Sequence, residues 1–250
     1  MISTALNELR SRSSFQPSQT PVLQSLLIAD DDHRYRQALT AFLEFYRHSN
    51  QGWFQQIYEA DHGGQCIDLA IAQQPSLILL DLEFLSDNQS GIDIFEQLKK
   101  AGYRGKVAFV SGHNDARLIF KAMKAGACGY LLKDRLTSQL PEALSAWASD
   151  RVYLGDEVTS RFFSIFHHAD KPRPDLTTAL TSRETEVLQL LVNGASNQDM
   201  AKRLYITAAT VKAHLTSIFN KLHVSSRTQA IVRAVKAGLV VIEEAEFEER

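Results

Sequence analysis

Apolar positions change their period along the chain. From residue 23 to about residue 150, short apolar runs alternate with stretches whose apolar residues recur every three or four positions. "VLQSLLIA", "FQQIYEA", "SLILLDL", "KVAFVSG" and "GYLLK" read as strands, the third of them a buried one. Helices are expected at 33–47, with Leu39, Phe42, Leu43 and Tyr46 on one face, and at about 65–73, 91–101, 115–125 and 137–148. Five strand–helix pairs with apolar strands predict (βα)5, an α/β domain with a doubly wound parallel sheet over 23–150.

The stretch 151–178 breaks this alternation. "FFSIFHHADKPRPDL" carries Pro172 and Pro174 among charges and reads as a linker, with room for a short helix at 157–167. Beyond it, from 179 to 242, every element is helical and each is announced by a cap. Thr181 with Glu184 and Ser196 with Asp199 make capping boxes, Thr207 precedes a helix at 208–222, and Ser226 with Gln229 opens a last helix that stops at Gly238. Four short helices with a tight turn between the second and third match helix-turn-helix geometry.

The ends add little. Residues 1–22 are rich in Ser, Gln and Pro and are expected to be a mobile extension, with no apolar core of the kind a signal peptide needs. Residues 243–250, "EEAEFEER", form an acidic tail, a solubilising run at its simplest. No apolar run approaches the ~20 residues that span a bilayer. Cys66 and Cys128 lack metal-ligand spacing and read as reduced thiols, so a cytoplasmic protein with no membrane partner is expected.

Net charge of −2 is uninformative, but its distribution is not. Residues 23–150 carry 16 acids against 12 Lys and Arg, whereas 179–242 carry 8 Lys and Arg against 3 acids. A basic block in a near-neutral chain suggests a polyanionic partner, although a solvated surface would look the same.

A parallel sheet brings the carboxyl ends of its strands to one edge, where such folds bind ligands. Asp30 and Asp31 follow the first strand, Asp81 ends the third, Ser111 the fourth and Lys133 the fifth. Each has an ordinary alternative: a helix cap, a loop hydroxyl, a solvated charge. Asp32, just before a helix, fits a cap best. Together they amount to three carboxylates, a hydroxyl and an ammonium at one place. Hard oxygen ligands of this kind suit Mg2+. An aspartate between such a cation and Lys133 can attack phosphorus and become an aspartyl phosphate, with the charge on the phosphoryl oxygens offset by its neighbours.

These residues resemble the receiver domain of two-component response regulators. "LLIADDD", "LILLDL", "SGID", "VAFVSG" and above all "KAGACGYLLKD" carry the resemblance over 24–150. It implies that Asp81 is the phosphoacceptor, that Asp30, Asp31 and the backbone carbonyl of Glu83 hold Mg2+ with it, and that Ser111 and Lys133 bind the phosphoryl group. Tyr130 falls at the family's aromatic switch position. The departure is "DLEFLSDNQSG". The family usually has a Met-Pro pair and a shorter loop here, whereas this chain has no proline and reaches Gly91 ten residues after Asp81. Asp87 and Asn88 in that loop read as turn residues with a route toward the site.

In the basic block, Val211, Leu215, Ile218 and Leu222 form one face of the 208–222 helix. Lys212, Thr216 and Asn220 recur on the other, with Ala213 and Ser217 beside them. A small-residue face with one lysine can enter a major groove. Thr207, Thr210, Lys221 and Arg227 are placed to bond phosphates. "LTSRETEVL", "GASNQDMAKRL", "TVKAH" and "KLHVSSRTQA" resemble the LuxR/NarL-type helix-turn-helix domain across 180–231. The resemblance implies that 208–222 is the recognition helix, that Lys212, Ala213 and Thr216 lie nearest the bases, and that the last helix pairs two copies on double-stranded DNA.

The combined reading is a NarL/FixJ-type transcription factor that takes phosphate from a histidine kinase on Asp81 and acts as a homodimer. One alternative is a phosphatase or phosphotransferase with Asp81 as nucleophile and Glu83 as second acid. Another is a receiver-like domain that ignores phosphate and binds DNA constitutively.

Overall fold

The computed structural model describes residues 23–49, 54–84, 89–165 and 180–240. Asp87 and Asn88, the N-terminal extension, most of the proline-containing stretch and the acidic tail lie outside them. Five parallel strands, β1 (Ser25–Ala29), β2 (Gln56–Ala60), β3 (Leu77–Asp81), β6 (Lys106–Ser111) and β7 (Gly129–Leu132), form the expected sheet. A sixth, β8 (Tyr153–Leu154), joins it in the order β2-β1-β3-β6-β7-β8. β8 pairs with β7 in parallel, Gly129 opposite Tyr153, so the stretch beyond residue 150 begins as sheet.

Side-chain alternation divides the apolar residues between two cores. Leu27, Ile78, Leu80, Phe109 and Tyr130 face one side, under α2 (Gly63–Gln73), α3 (Gly91–Lys100), α4 (Ala116–Ala125) and α6 (Asp156–Ser164). Leu26, Leu77, Leu79, Val110 and Leu131 face the other, under α1 (His33–Ser49) and α5 (Leu136–Ala148). Both faces being covered explains why every residue of β3 is buried. α6 reaches the first core through Val158 and Phe162, and Phe162 stacks on Phe120 of α4.

The long loop after Asp81 is a miniature ribbon. β4 (Glu83–Phe84) pairs antiparallel with β5 (Gln89–Ser90), and this is where the extra loop length goes. Ser90 then caps α3 by accepting from the Ile92 amide. Gly91 is forced by proximity, since a Cβ there would sit 1.9 Å from the Asp81 carbonyl oxygen.

The helical domain holds α7 (Ser182–Val192), α8 (Asn197–Leu204), α9 (Ala208–Leu222) and α10 (Arg227–Lys236). Thr181 and Ser196 close full capping boxes, while Thr207 and Ser226 accept from the Thr210 and Gln229 amides. Val187, Leu188, Leu191, Met200, Val211 and Ile218 pack a separate core, each fully buried side chain contributing about 1.5–3 kcal/mol.

Candidate functional site

The strand order reverses between β1 and β3, and the acidic residues gather at that crevice. Asp30 and Asp81 are buried and Asp31 is half-buried, and one oxygen of each lies within 4.8 Å of the others. Lys133 follows β7. Its amide bonds the Ser111 carbonyl at 2.8 Å, and its Nζ lies 2.6 Å from Asp30 Oδ2 and 2.8 Å from Asp81 Oδ2. Asp81 Oδ1 accepts from the Leu82 amide at 2.6 Å.

Burial is the main force on these carboxyls. Together with the Asp30 charge it pushes Asp81 up to about 6, against the pull of Lys133. Asp30 is raised by burial too, again opposed by Lys133. Burial works to lower Lys133, yet its bonds to Asp30 and Asp81 leave it raised overall. One ammonium against three carboxylates leaves surplus negative charge in a partly dry site. A divalent cation would discharge that surplus, and an all-oxygen set matches a hard ion.

Asp32 stands apart. Its Oδ1 accepts from the Arg34 and Tyr35 amides, so it caps α1, and the Tyr35 bond is the largest cause of its lowered pKa.

Ser111 is fully buried and its Oγ accepts from the His113 amide at 3.1 Å. Tyr130 is also fully buried, and its hydroxyl donates to the His113 carbonyl at 2.7 Å. His113, which the sequence did not single out, therefore ties both switch positions together. Its Nε2 also meets Glu83 Oε2 at 2.9 Å across the mouth of the site. Two further residues went unnoticed. The Tyr35 ring lies 4.6 Å below Lys133 Nζ, and the buried Arg36 donates to the Asp30 carbonyl at 2.7 Å. Both fall on the buried side of α1 next to the cap. Their spacing, four and three residues before Leu39, was the signal available in the sequence.

On the helical domain, Lys212, Ala213, Thr216 and Asn220 are exposed on α9, as are Thr207 and Thr210 at its start. Thr216 Oγ1 bonds back to the Lys212 carbonyl at 2.9 Å. Lys221 and Arg227 differ from that picture, because both are engaged inside the domain. Lys221 Nζ meets Glu184 at 2.7 Å, and Ser217 Oγ bonds the same carboxylate at 2.6 Å. Arg227 donates to Asn197 Oδ1 at 3.1 Å and to the Ala195 carbonyl. Glu184, read from sequence only as half of a capping box, is thus the polar hub linking α7 to α9.

The two domains touch. Thr228 Oγ1 donates to the Ala127 carbonyl at 2.7 Å, and Gln229 Nε2 donates to the Lys124 carbonyl at 3.0 Å, at the end of α4. Val232 joins the receiver's first core, and Lys236 Nζ lies 4.3 Å from the Phe120 ring centroid. Gly126, with φ +105°, makes the approach feasible, since a Cβ there would be 2.9 Å from Ser226 Oγ. This closure leaves a 440 Å3 groove in which Lys212 and Thr216 face Phe95, Lys106 and Arg151 of the receiver. Two of the residues expected to meet bases, Lys212 and Thr216, thus lie in the groove between the domains, while Ala213 and Asn220 lie outside it.

A doubly wound α/β domain with an acidic pocket at its switch point, joined to a helix-turn-helix domain, defines a class: one module receives a signal and the other binds DNA. Comparison with known proteins makes this specific. Residues 26–145 match the response regulator receiver domain and residues 178–234 match the luxR family of bacterial regulatory proteins. The chain is 32% identical over 216 residues to the transcriptional regulatory protein LiaR of Bacillus subtilis, covering 86% of this chain and 98% of LiaR. It is 30% identical over 215 residues to the response regulator protein VraR of Staphylococcus aureus, with the same shares covered. The chain belongs to the NarL/FixJ-type response regulators, transcription factors that pair a receiver with a LuxR-type domain. Among solved structures, the RcsB response regulator of Salmonella typhimurium shares the fold at TM-score 0.52 and 20% identity, covering 84% of this chain and 96% of RcsB. An RcsB–DNA complex matches at 0.51. Among the described residues no helix is long and apolar enough to cross a membrane.

Proposed function

We propose that Asp81 is the phosphoacceptor and that its phosphorylation controls access of α9 to DNA. The observation that carries this reading is Lys133 bridging Asp30 and Asp81 with Asp31 within reach. An Asp81 carboxylate oxygen attacks the phosphorus of a phosphohistidine on a partner kinase. The P–O bond forms as the P–N bond breaks, and its electron pair stays on the imidazole. Asp30, Asp31 and the Glu83 carbonyl, with Asp81, would hold Mg2+, which supplies positive charge against the phosphoryl oxygens. Lys133 neutralises the same oxygens from the other side. The Ser111 hydroxyl then donates to a phosphoryl oxygen, and the movement of its Oγ draws on the His113 amide it accepts from and so on the His113 carbonyl that anchors Tyr130.

Phosphate adds about −1.5 to −2 charges locally, so its effect on a distant helix passes through a two-state element. The contact of α10 with the end of α4 is that element. Released, α9 is free for the major groove through Lys212, Ala213, Thr216 and Asn220, with Thr207 and Thr210 on phosphates. α10 is then free to pair with a second copy, the homodimer expected on double-stranded DNA. Arg227 and Lys221 contribute by holding the domain together through the bonds they already make. The constitutive and enzymatic alternatives lack an observation of this kind.

The test is labelling by acetyl phosphate and Mg2+, read as a mass increment. Asp81→Asn should abolish it, and persistent labelling would sink the assignment. Steady turnover of a phosphate ester that needs Asp81 would instead make the protein an enzyme.

A further inference from the structure

The groove between the domains is lined mainly by one sign of charge. Arg104, Lys106 and Arg151 come from the receiver side, and Lys212 and Arg227 from the helical domain. The one acid in the lining, Asp150, is taken by Lys106 at 2.7 Å. Asp199, the other acid within the field of Arg151, is committed to the Ser196 cap at 2.6 Å. Lys212 and Arg227 belong to a domain that meets DNA, so their charge has an explanation. On the receiver side Lys106 has Asp150, but Arg104 and Arg151 have no ion pair among the described residues.

Two details show a site short of its counter-charge. The Arg151 Nε atom is buried and has no hydrogen-bond partner. A buried guanidinium N–H left unmatched costs more than an ordinary unmade hydrogen bond. In the same lining, the Arg227 guanidinium is brought down to about 10, chiefly by burial, with Asp150 opposing and Arg151 pushing the same way. Arg227 has spent bonds on Asn197 and Ala195, and the single Asp150 carboxylate is shared between it and Lys106. Phe95, Leu215 and Phe219 add an apolar patch to the wall, which suits a compact organic body beside the cations.

We propose that this groove binds a phosphate-class oxyanion, inorganic phosphate or a small phosphomonoester, between Arg151 and Arg227. The anion offsets the like charges that closure brings together, and guanidinium forks suit its geometry. Since its two arginines belong to different domains, the anion binds only the closed arrangement and shifts the equilibrium toward it. The site thus makes DNA binding answer to a small anion as well as to Asp81, a consequence that rests on the reading of closure given above.

The experiment uses the full unphosphorylated chain in EDTA, at ionic strength matched with chloride. Inorganic phosphate and phenyl phosphate are each titrated by calorimetry, and DNA affinity is followed by fluorescence anisotropy. One saturable site is expected, at least about tenfold weaker in Arg151→Gln and intermediate in Arg151→Lys, which keeps the charge but loses the fork. Tighter binding of phenyl phosphate than of phosphate would identify an organic ester as the better ligand; equal binding would identify phosphate itself. DNA affinity should fall several-fold at saturation in the parent protein and stay level in Arg151→Gln. Absence of saturable binding by either probe overturns the proposal. So does equal binding by parent and Arg151→Gln, which would put the anion at Lys133 or on the DNA-facing residues. Arg151-dependent binding with no effect on DNA would keep the site and overturn the closure reading instead.

Discussion

Replacing Thr228 by Val removes one hydroxyl from the domain contact and little else. Thr228 is 3% exposed, and its Oγ1 donates to the Ala127 carbonyl at 2.7 Å. Valine matches the shape but leaves that carbonyl with no donor in the closed form, at a cost of about 1–3 kcal/mol. In the open form water satisfies the carbonyl, so the cost falls on closure alone. At about 1.4 kcal/mol per factor of ten, the closed-to-open ratio drops roughly 5- to 150-fold. Apparent DNA affinity scales with the open fraction. The unphosphorylated variant should therefore bind an operator fragment more tightly by that factor, up to the ceiling set by the phosphorylated parent. Fluorescence anisotropy at fixed salt measures this, with a thermal melt to establish that the variant is folded. A folded variant with unchanged affinity would refute closure as the restraint on DNA binding.

Other expectations bear on single features. Glu184→Gln should destabilise the helical domain by about 1–3 kcal/mol in chemical denaturation, because a charged acceptor to Lys221, Ser217 and Thr181 is lost. Burial tends to raise Glu184, but the bonds from Lys221, Ser217 and Thr181 outweigh it and hold it at about 2, below its ordinary 4.5. The stability it gives is therefore complete above about 4.5 and lost as pH falls from there toward 2, a slope that Glu184→Gln should flatten. Gly91→Ala should slow acetyl phosphate labelling, because its Cβ would overlap the Asp81 carbonyl oxygen at 1.9 Å and displace the acceptor; labelling at the parent rate would contradict that crowding. Lys212→Ala should weaken specific DNA binding by about 1–3 kcal/mol, measured on the phosphorylated protein so that closure does not interfere.

Legibility in the sequence followed the range of the interaction. Asp30, Asp81, Ser111 and Lys133 were readable together because a parallel sheet converts strand-end position into proximity. Capping residues were readable because a cap lies within three residues of what it bonds, as Thr181 and Ser196 illustrate. β8 was missed because two residues, Tyr153 and Leu154, are too few to display a period. The β4–β5 ribbon was missed for the same reason, since turn polarity hid its pairing. His113 carries no pattern of its own; it matters through backbone groups that meet Ser111 and Tyr130 only in space. The contact of Thr228 with Ala127 spans 101 residues and joins two separately patterned units, so no local signal could announce it.

The character of that contact has a consequence for the life of the protein in a crowded cell. Its hydrogen bonds are a threonine hydroxyl and a glutamine amide on backbone carbonyls, with a lysine over an aromatic ring beside them. Val232 is the one fully apolar side chain of α10 that enters the receiver's core. Parting the domains therefore uncovers groups that water can satisfy, together with Val232 and the receiver side chains it covers. Each helical cap and the core of the helical domain stay whole, while the receiver's first core gives up Val232 alone. The open protein should stay soluble without a chaperone and close again without refolding, so the molecule can cycle between its states many times without the aggregation that exposed apolar interfaces invite.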